Sequence, residues 1–147
     1  MFLAKQIATI LGCPLTDCIV TLKSFQGKYV EATAAKKIAA ISETIKEESK
    51  WFIYFLGGNV VNLKNKASGN FLRAMGKTNN FDVRHDQAAS PGSWGKFTLV
   101  NLTGAKYALK TIHKKYLQHL VSTMVTGKGN NIGTSESFQI NVCKLCT

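Results

Sequence analysis

The chain has 147 residues, 45% of them hydrophobic, enough for one compact domain that buries roughly two-thirds of the surface its unfolded form exposes. No apolar run reaches the ~18 residues of a membrane-crossing helix, and a core of this size folds without a metal. Nineteen Lys and Arg against eight Asp and Glu give a net charge of +11, so the surface attracts polyanions.

In chain order, residues 1–17 form an extension outside any repeat. Two readings are open for it: a short secretion signal, with Ile10-Leu11-Gly12-Cys13 resembling a lipoprotein cleavage box, or a helical turn or extra strand covering one end of the fold. Phe2 excludes an N-myristoyl glycine. Beyond it the apolar residues come in short β-branched and aromatic runs bounded by Gly, Asn, Ser and Lys: Ile19 to Leu22, Tyr29-Val30, Trp51 to Leu56, Val60-Val61, Phe71-Leu72 and Phe97 to Val100. Their length predicts strands. Gly57-Gly58, Ser68-Gly69 and Thr103-Gly104 are turn sites, because glycine accepts positive φ. Gly127 to Gly133 lacks the spacing of a phosphate loop and reads as a long hairpin turn.

The phrase Leu22-Lys23-(x)₃-Gly27-Lys28-Tyr29-Val30 returns at Leu63-Lys64 with Gly69-Asn70-Phe71-Leu72, and at Leu109-Lys110 with Lys114-Lys115-Tyr116-Leu117. The Leu-Lys pairs lie 41 and 46 residues apart. Phe52 and Phe97 keep phase with them, 11 and 12 residues ahead of the next Leu, and Phe138 stands near the end. A forty-odd-residue unit cannot bury a core alone, so three units share one. Four short strands per unit predict an all-β chain, a single β-trefoil over 1–147 with repeats at about 18–58, 59–104 and 105–143. A three-bladed propeller would leave its channel badly filled. Strand alternation places Leu22, Leu63 and Leu109 in the core and Lys23, Lys64 and Lys110 in an outward three-fold ring. Tyr29, Phe71 and Tyr116 are read as core.

The Leu-Lys-(x)₃-Gly-Lys-Tyr phrase, followed by Trp94-Gly95-Lys96-Phe97 and a glycine turn into the next Leu-Lys, resembles fascin and hisactophilin, the actin-binding β-trefoils. The resemblance runs from about Cys18 to Cys143. It departs from the pattern where Trp51 abuts Phe52, where Ser135 stands in place of Trp, and where Lys114 replaces the turn glycine. The resemblance implies attachment to filamentous actin, whose acidic surface suits a basic face.

Four cysteines stand at the ends: Cys13, Cys18, Cys143 and Cys146. A closed trefoil pairs its first and last strands, which brings these thiols near one another. Free thiols in a cytoplasmic protein, disulfides in a secreted one, and a four-thiolate zinc site all remain open. No nucleophile elbow or metal-ligand spacing accompanies His85, His113 or His119, so neither an enzyme nor a cofactor is expected. Most of the positive charge is lysine, a point charge that suits diffuse contact with an acidic surface rather than bidentate reading of bases. Nucleic acid ranks low, for want of an exposed stacking series.

The candidate partner-binding residues are Lys23, Lys28, Lys64, Lys66, Lys110, Lys114 and Lys115. The stretch from Lys106 to Lys115 is the densest, and the lysine at the turn-glycine position of the third repeat points to the working surface. Two functions follow. One is a cytoplasmic actin-binding protein, with anionic membrane lipid as a second partner. The other is a secreted lectin or sulfated-glycan binder with disulfide-linked termini and a glycosylatable Asn101-Leu102-Thr103.

Overall fold

The computed structural model describes residues 18–120 and 122–143. The readings placed on the N-terminal extension, on Cys13 and on Cys146 lie outside these residues. Among the described residues, strands fall into three sets of four. The first set is β1 (Ile19–Ser24), β2 (Tyr29–Ala32), β3 (Ile38–Ser42) and β4 (Trp51–Gly57). The second is β5 (Val60–Asn65), β6 (Phe71–Ala74), β7 (Val83–Gln87) and β8 (Phe97–Asn101). The third is β9 (Lys106–Lys110), β10 (Tyr116–His119), β11 (Val125–Gly129) and β12 (Phe138–Val142).

Six strands pair antiparallel in a ring, β1 with β4, β4 with β5, β5 with β8, β8 with β9, β9 with β12, and β12 with β1. Closing the ring removes the exposed edges an open sheet would carry. The hairpins β2–β3, β6–β7 and β10–β11 cap one end of this barrel. They touch one another through the bridges Lys37 to Arg84, Ala39 to Met124 and Asp82 to Thr126. This is the β-trefoil that the three-fold repeat predicts.

Each repeat contributes the same core positions. Leu22, Leu63 and Leu109 are buried as expected, at 1%, 1% and 0% exposure. Val30, Leu72 and Leu117 are buried beside them from the hairpins. The preceding aromatics Tyr29, Phe71 and Tyr116 are not core: they stay half-buried on the outer face. Period-two alternation decides this, since the residue after each aromatic takes the inward place.

Trp51, Phe97 and Phe138 head β4, β8 and β12 and are fully buried. The phase marker of the first repeat is therefore Trp51, and Phe52 points outward, half-buried. The Trp51 indole donates from Nε1 to the Val30 carbonyl at 3.1 Å, which satisfies the one polar group that its burial would otherwise strand.

Gly127 and Gly129 also depart from the hairpin-turn reading, for both lie in β11 and are buried. A Cβ on Gly129 would meet Glu136 Cγ at 2.8 Å and the Tyr116 carbonyl at 3.0 Å. These glycines permit close packing of strands, and the turn begins only at Asn130.

Candidate functional site

A short 3-10 turn precedes β4, β8 and β12: Glu47–Ser49, Ser93–Gly95 and Thr134–Glu136. Each is pinned from below by a buried side chain. Asn65 Nδ2 donates to the Glu48 carbonyl at 2.8 Å, and Asn62 Nδ2 to the Gly95 carbonyl at 2.6 Å. The Glu136 carboxylate accepts from Gly133 N–H at 2.9 Å and Gln118 Nε2 at 2.7 Å.

The turns leaving β1, β5 and β9 share one geometry. Ser24 N–H donates to Lys28 O at 2.8 Å, Asn65 N–H to Asn70 O at 2.8 Å, and Thr111 N–H to Lys115 O at 2.7 Å. The penultimate positions hold Gly27, Gly69 and Lys114 at φ +77°, +74° and +64°. Each 3-10 turn faces the barrel turn of the following repeat, so the pseudo-three-fold axis generates three comparable junctions with different side chains.

The junction between β12 and the β1–β2 turn holds a depression of about 460 Å³ lined by Lys23, Ser24, Phe25, Gly27, Lys106, Thr134, Ser137 and Gln139. No carboxylate is among these residues. Lys23 sits over the Tyr29 ring at 5.5 Å, opposite it in the strand register, which steadies a side chain that would otherwise roam. Phe25 is 45% exposed. Two ammonium groups, three hydroxyls, an amide and an exposed ring therefore face one concavity. This set can grip an anion, hydrogen-bond sugar hydroxyls and stack an apolar sugar face.

At the junction between β4 and the β5–β6 turn the chain supplies its own anion. The Glu47 carboxylate bonds Lys66 Nζ at 2.7 Å and also Lys50 Nζ. Hydrogen bonds from Lys50 and then Lys66 hold its carboxyl down at about 2. Outside this pair, Phe52, Tyr54 and Phe71 form a ring series with centroids 6.4 and 6.2 Å apart, and Lys64 lies 5.5 Å over Phe71.

The junction between β8 and the β9–β10 turn is the most basic. Lys110 pairs with Thr98 across the strands, Lys96 precedes Phe97, and Lys114 is exposed in the turn. Trp94 packs on His113 at 5.3 Å between centroids, joining the 3-10 turn to the barrel turn.

The seven lysines singled out from sequence are thus distributed over the three junctions rather than gathered on one face. Lys28 is paired with Glu43 at 2.9 Å, and Lys66 with Glu47. Lys115 bonds Asn130 and lies 5.3 Å over Phe81. Lys64, Lys110 and Lys114 make no ion pair among the described residues; Lys23 makes none either, but its charge adds to that of Lys28, the main cause, in holding the Glu43 carboxyl below the usual range. Lys106 enters the sequence reading only as the start of the densest basic stretch, and Phe25, Thr134, Ser137 and Gln139 do not enter it: the expected pairing of the first and last strands brings the two regions together without saying which side chains line the junction.

At the capped end, Asp82 accepts from Lys37 and from Arg84 Nε at 3.0 Å. Burial pushes this carboxyl up, but the two cations outweigh it and hold the group below the usual range. Cys18 and Cys143 are both disulfide-bonded, and no described cysteine is a free thiol. That corrects the free-thiol and zinc readings for these two residues. Cys143 N–H donates to the Ile19 carbonyl at 2.8 Å, beside the first strand.

No family model matches this sequence, and no curated protein sequence matches it. Solved structures do. The designed three-fold symmetric protein ThreeFoil is 18% identical with a TM-score of 0.73, over 84% of this chain and 97% of that one. A Culex salivary protein of the cysteine- and tryptophan-rich family is 12% identical at TM-score 0.69, over 88% and 96%. A Polyporus squamosus lectin, solved with the epitope Neu5Acα2-6Galβ1-4GlcNAc, is 15% identical at TM-score 0.69, over 83% of this chain and 48% of the lectin. These likenesses support the fold that the fascin and hisactophilin resemblance implies and give no particular support to that actin-binding family. What the chain shares with all three neighbours is the β-trefoil fold.

Proposed function

We propose that this protein is a secreted, non-enzymatic carbohydrate-binding β-trefoil that takes an acidic saccharide, sulfated or carboxylated, in the depression between β12 and the β1–β2 turn. The observation that carries the reading is the lining itself: Lys23 and Lys106 without a carboxylate among the lining residues, hydroxyls on Ser24, Thr134 and Ser137, and the exposed ring of Phe25. Binding sites for small ligands pair a concavity with a few convergent polar groups, and sugars add a face that stacks on an aromatic. The disulfide-bonded cysteines support an oxidising compartment. The lectin neighbour with a sialylated epitope shows one use of this fold and agrees with the reading. Attachment to filamentous actin or to an anionic membrane rests on net charge and resemblance alone.

A glycan array with neutral, carboxylated and sulfated members tests the proposal. Signal is expected on acidic members, with a loss of about tenfold or more for Lys23→Glu or Lys106→Glu, because each reversal removes a charge-assisted contact. Silence on every saccharide, together with pelleting on filamentous actin at low salt, would overturn it in favour of the cytoskeletal reading.

A further inference from the structure

We infer that the junction between β8 and the β9–β10 turn is a second anion site, which takes the sulfate or carboxylate of an acidic saccharide through Lys96, Lys110 and Lys114. The inference extends the saccharide reading to a second location, but stands on an internal comparison of the junctions. In the β4 junction the chain's own Glu47 carboxylate fills the space between the 3-10 turn and the barrel turn, held by Lys50 and Lys66. The 3-10 turns align residue for residue, each ending two positions before the buried aromatic that opens its strand. On that alignment Ser93 stands where Glu47 stands, and Lys96 where Lys50 stands. The cation is retained and the carboxylate is gone.

The facing turn strengthens the case. Ile112 takes the place of Lys66, but Lys114 enters two residues later, at the position glycine holds in the other two repeats. Lys114 adopts φ +64°, a left-handed conformation that an L-residue with a long side chain pays strain to hold. Lys110 is the outward neighbour of Thr98, on the same face of the sheet as Lys96. None of the three lysines makes an ion pair among the described residues, so the junction lacks the carboxylate that offsets part of the charge of its counterpart.

The test uses the full chain with its disulfides intact, titrated with a heparin-derived tetrasaccharide and, separately, with inorganic sulfate. Backbone amide NMR shifts locate each site, and calorimetry counts them. Shifts at Lys96, Lys110 and Lys114 are expected as a set distinct from those at Lys23, Lys106 and Ser137, with two tetrasaccharides bound. Ser93→Glu should install the internal carboxylate, abolish the first set, keep the second and lower the count to one. Glu47→Ser should open the β4 junction and add shifts at Lys50 and Lys66. Lys114→Gly, which matches the other two repeats and so preserves the fold, should weaken this junction about tenfold. No shift at Lys96, Lys110 and Lys114 with either probe, or shifts that persist unchanged in Ser93→Glu, would overturn the inference. Loss of the Lys23 and Lys106 shifts alone would overturn the proposed main site and leave this one standing.

Discussion

Lys114 carries a conflict between conformation and charge that can be measured. A left-handed L-residue costs roughly 1–2 kcal/mol, while glycine in its place loses about 0.5–1 kcal/mol more backbone entropy on folding. The difference favours glycine, so Lys114→Gly should stabilise the protein by about 0.5 kcal/mol in urea unfolding, whereas Gly69→Ala should destabilise it. Glu47 sets a second test at the same scale. Its folded carboxyl lies at about 2, below the ordinary 4.5, so the ionised form is the one the native state favours. The stabilisation it provides is present in full above about pH 5 and is lost as pH falls toward 2. Asp82, also depressed, adds to the same acid limb. Unfolding followed from pH 7 to pH 2 should show this fall, and it should be shallower in Glu47→Gln, which has no proton to gain.

Strand alternation explains both what was legible and what was not. The inward Leu of each Leu-Lys pair could be read directly, because period two leaves no choice once one face is buried. Tyr29, Phe71 and Tyr116 read as core because they recur at equivalent repeat positions, but alternation gives the inward place to Val30, Leu72 and Leu117, which follow them. Trp51-Phe52 is the sharper case, since adjacent aromatics cannot both face inward: spacing to the next Leu marks Phe52, whereas Trp51 takes the inward place. Trp51→Ala should therefore cost about 3–5 kcal/mol of stability, the scale for emptying a buried aromatic site. Phe52→Ala, on the half-exposed face, should cost about 1 kcal/mol or less. Equal losses in chemical denaturation would reverse the assignment of β4. Gly129 was misread as a turn because glycine signals both bends and close approach, and only the proximity of Tyr116 and Glu136 separates the two.

Across the whole molecule, the three-fold repeat made the trefoil readable and hid the site. Repeats report what the copies share, which is the core. The candidate site lies in what they do not share, the side chains that each junction received separately. The depression near Lys23 joins residues more than a hundred positions apart, so it exists only once β12 closes on β1. The state of the cysteines was likewise open in sequence. The disulfides at Cys18 and Cys143 predict that neither is alkylated by iodoacetamide in the denatured, unreduced protein, as peptide mass mapping would record. The net charge of +11 gives any polyanion a salt-sensitive attraction, so affinity for an acidic glycan is meaningful only against a reference that charge alone would also bind. The most direct measurement compares tetrasaccharide affinity, at physiological salt, between the native chain and Lys23→Glu/Lys106→Glu, with Lys36→Glu/Lys77→Glu at the capped end as the charge-matched control. A loss of about a hundredfold at the β12 junction, read from the amide shifts of Ser137 and Gln139, in the first variant and little change there in the second is the expected result, two charge-assisted contacts being removed from one pocket. Equal losses in the two variants would show a diffuse attraction of charge and contradict a saccharide site at this junction.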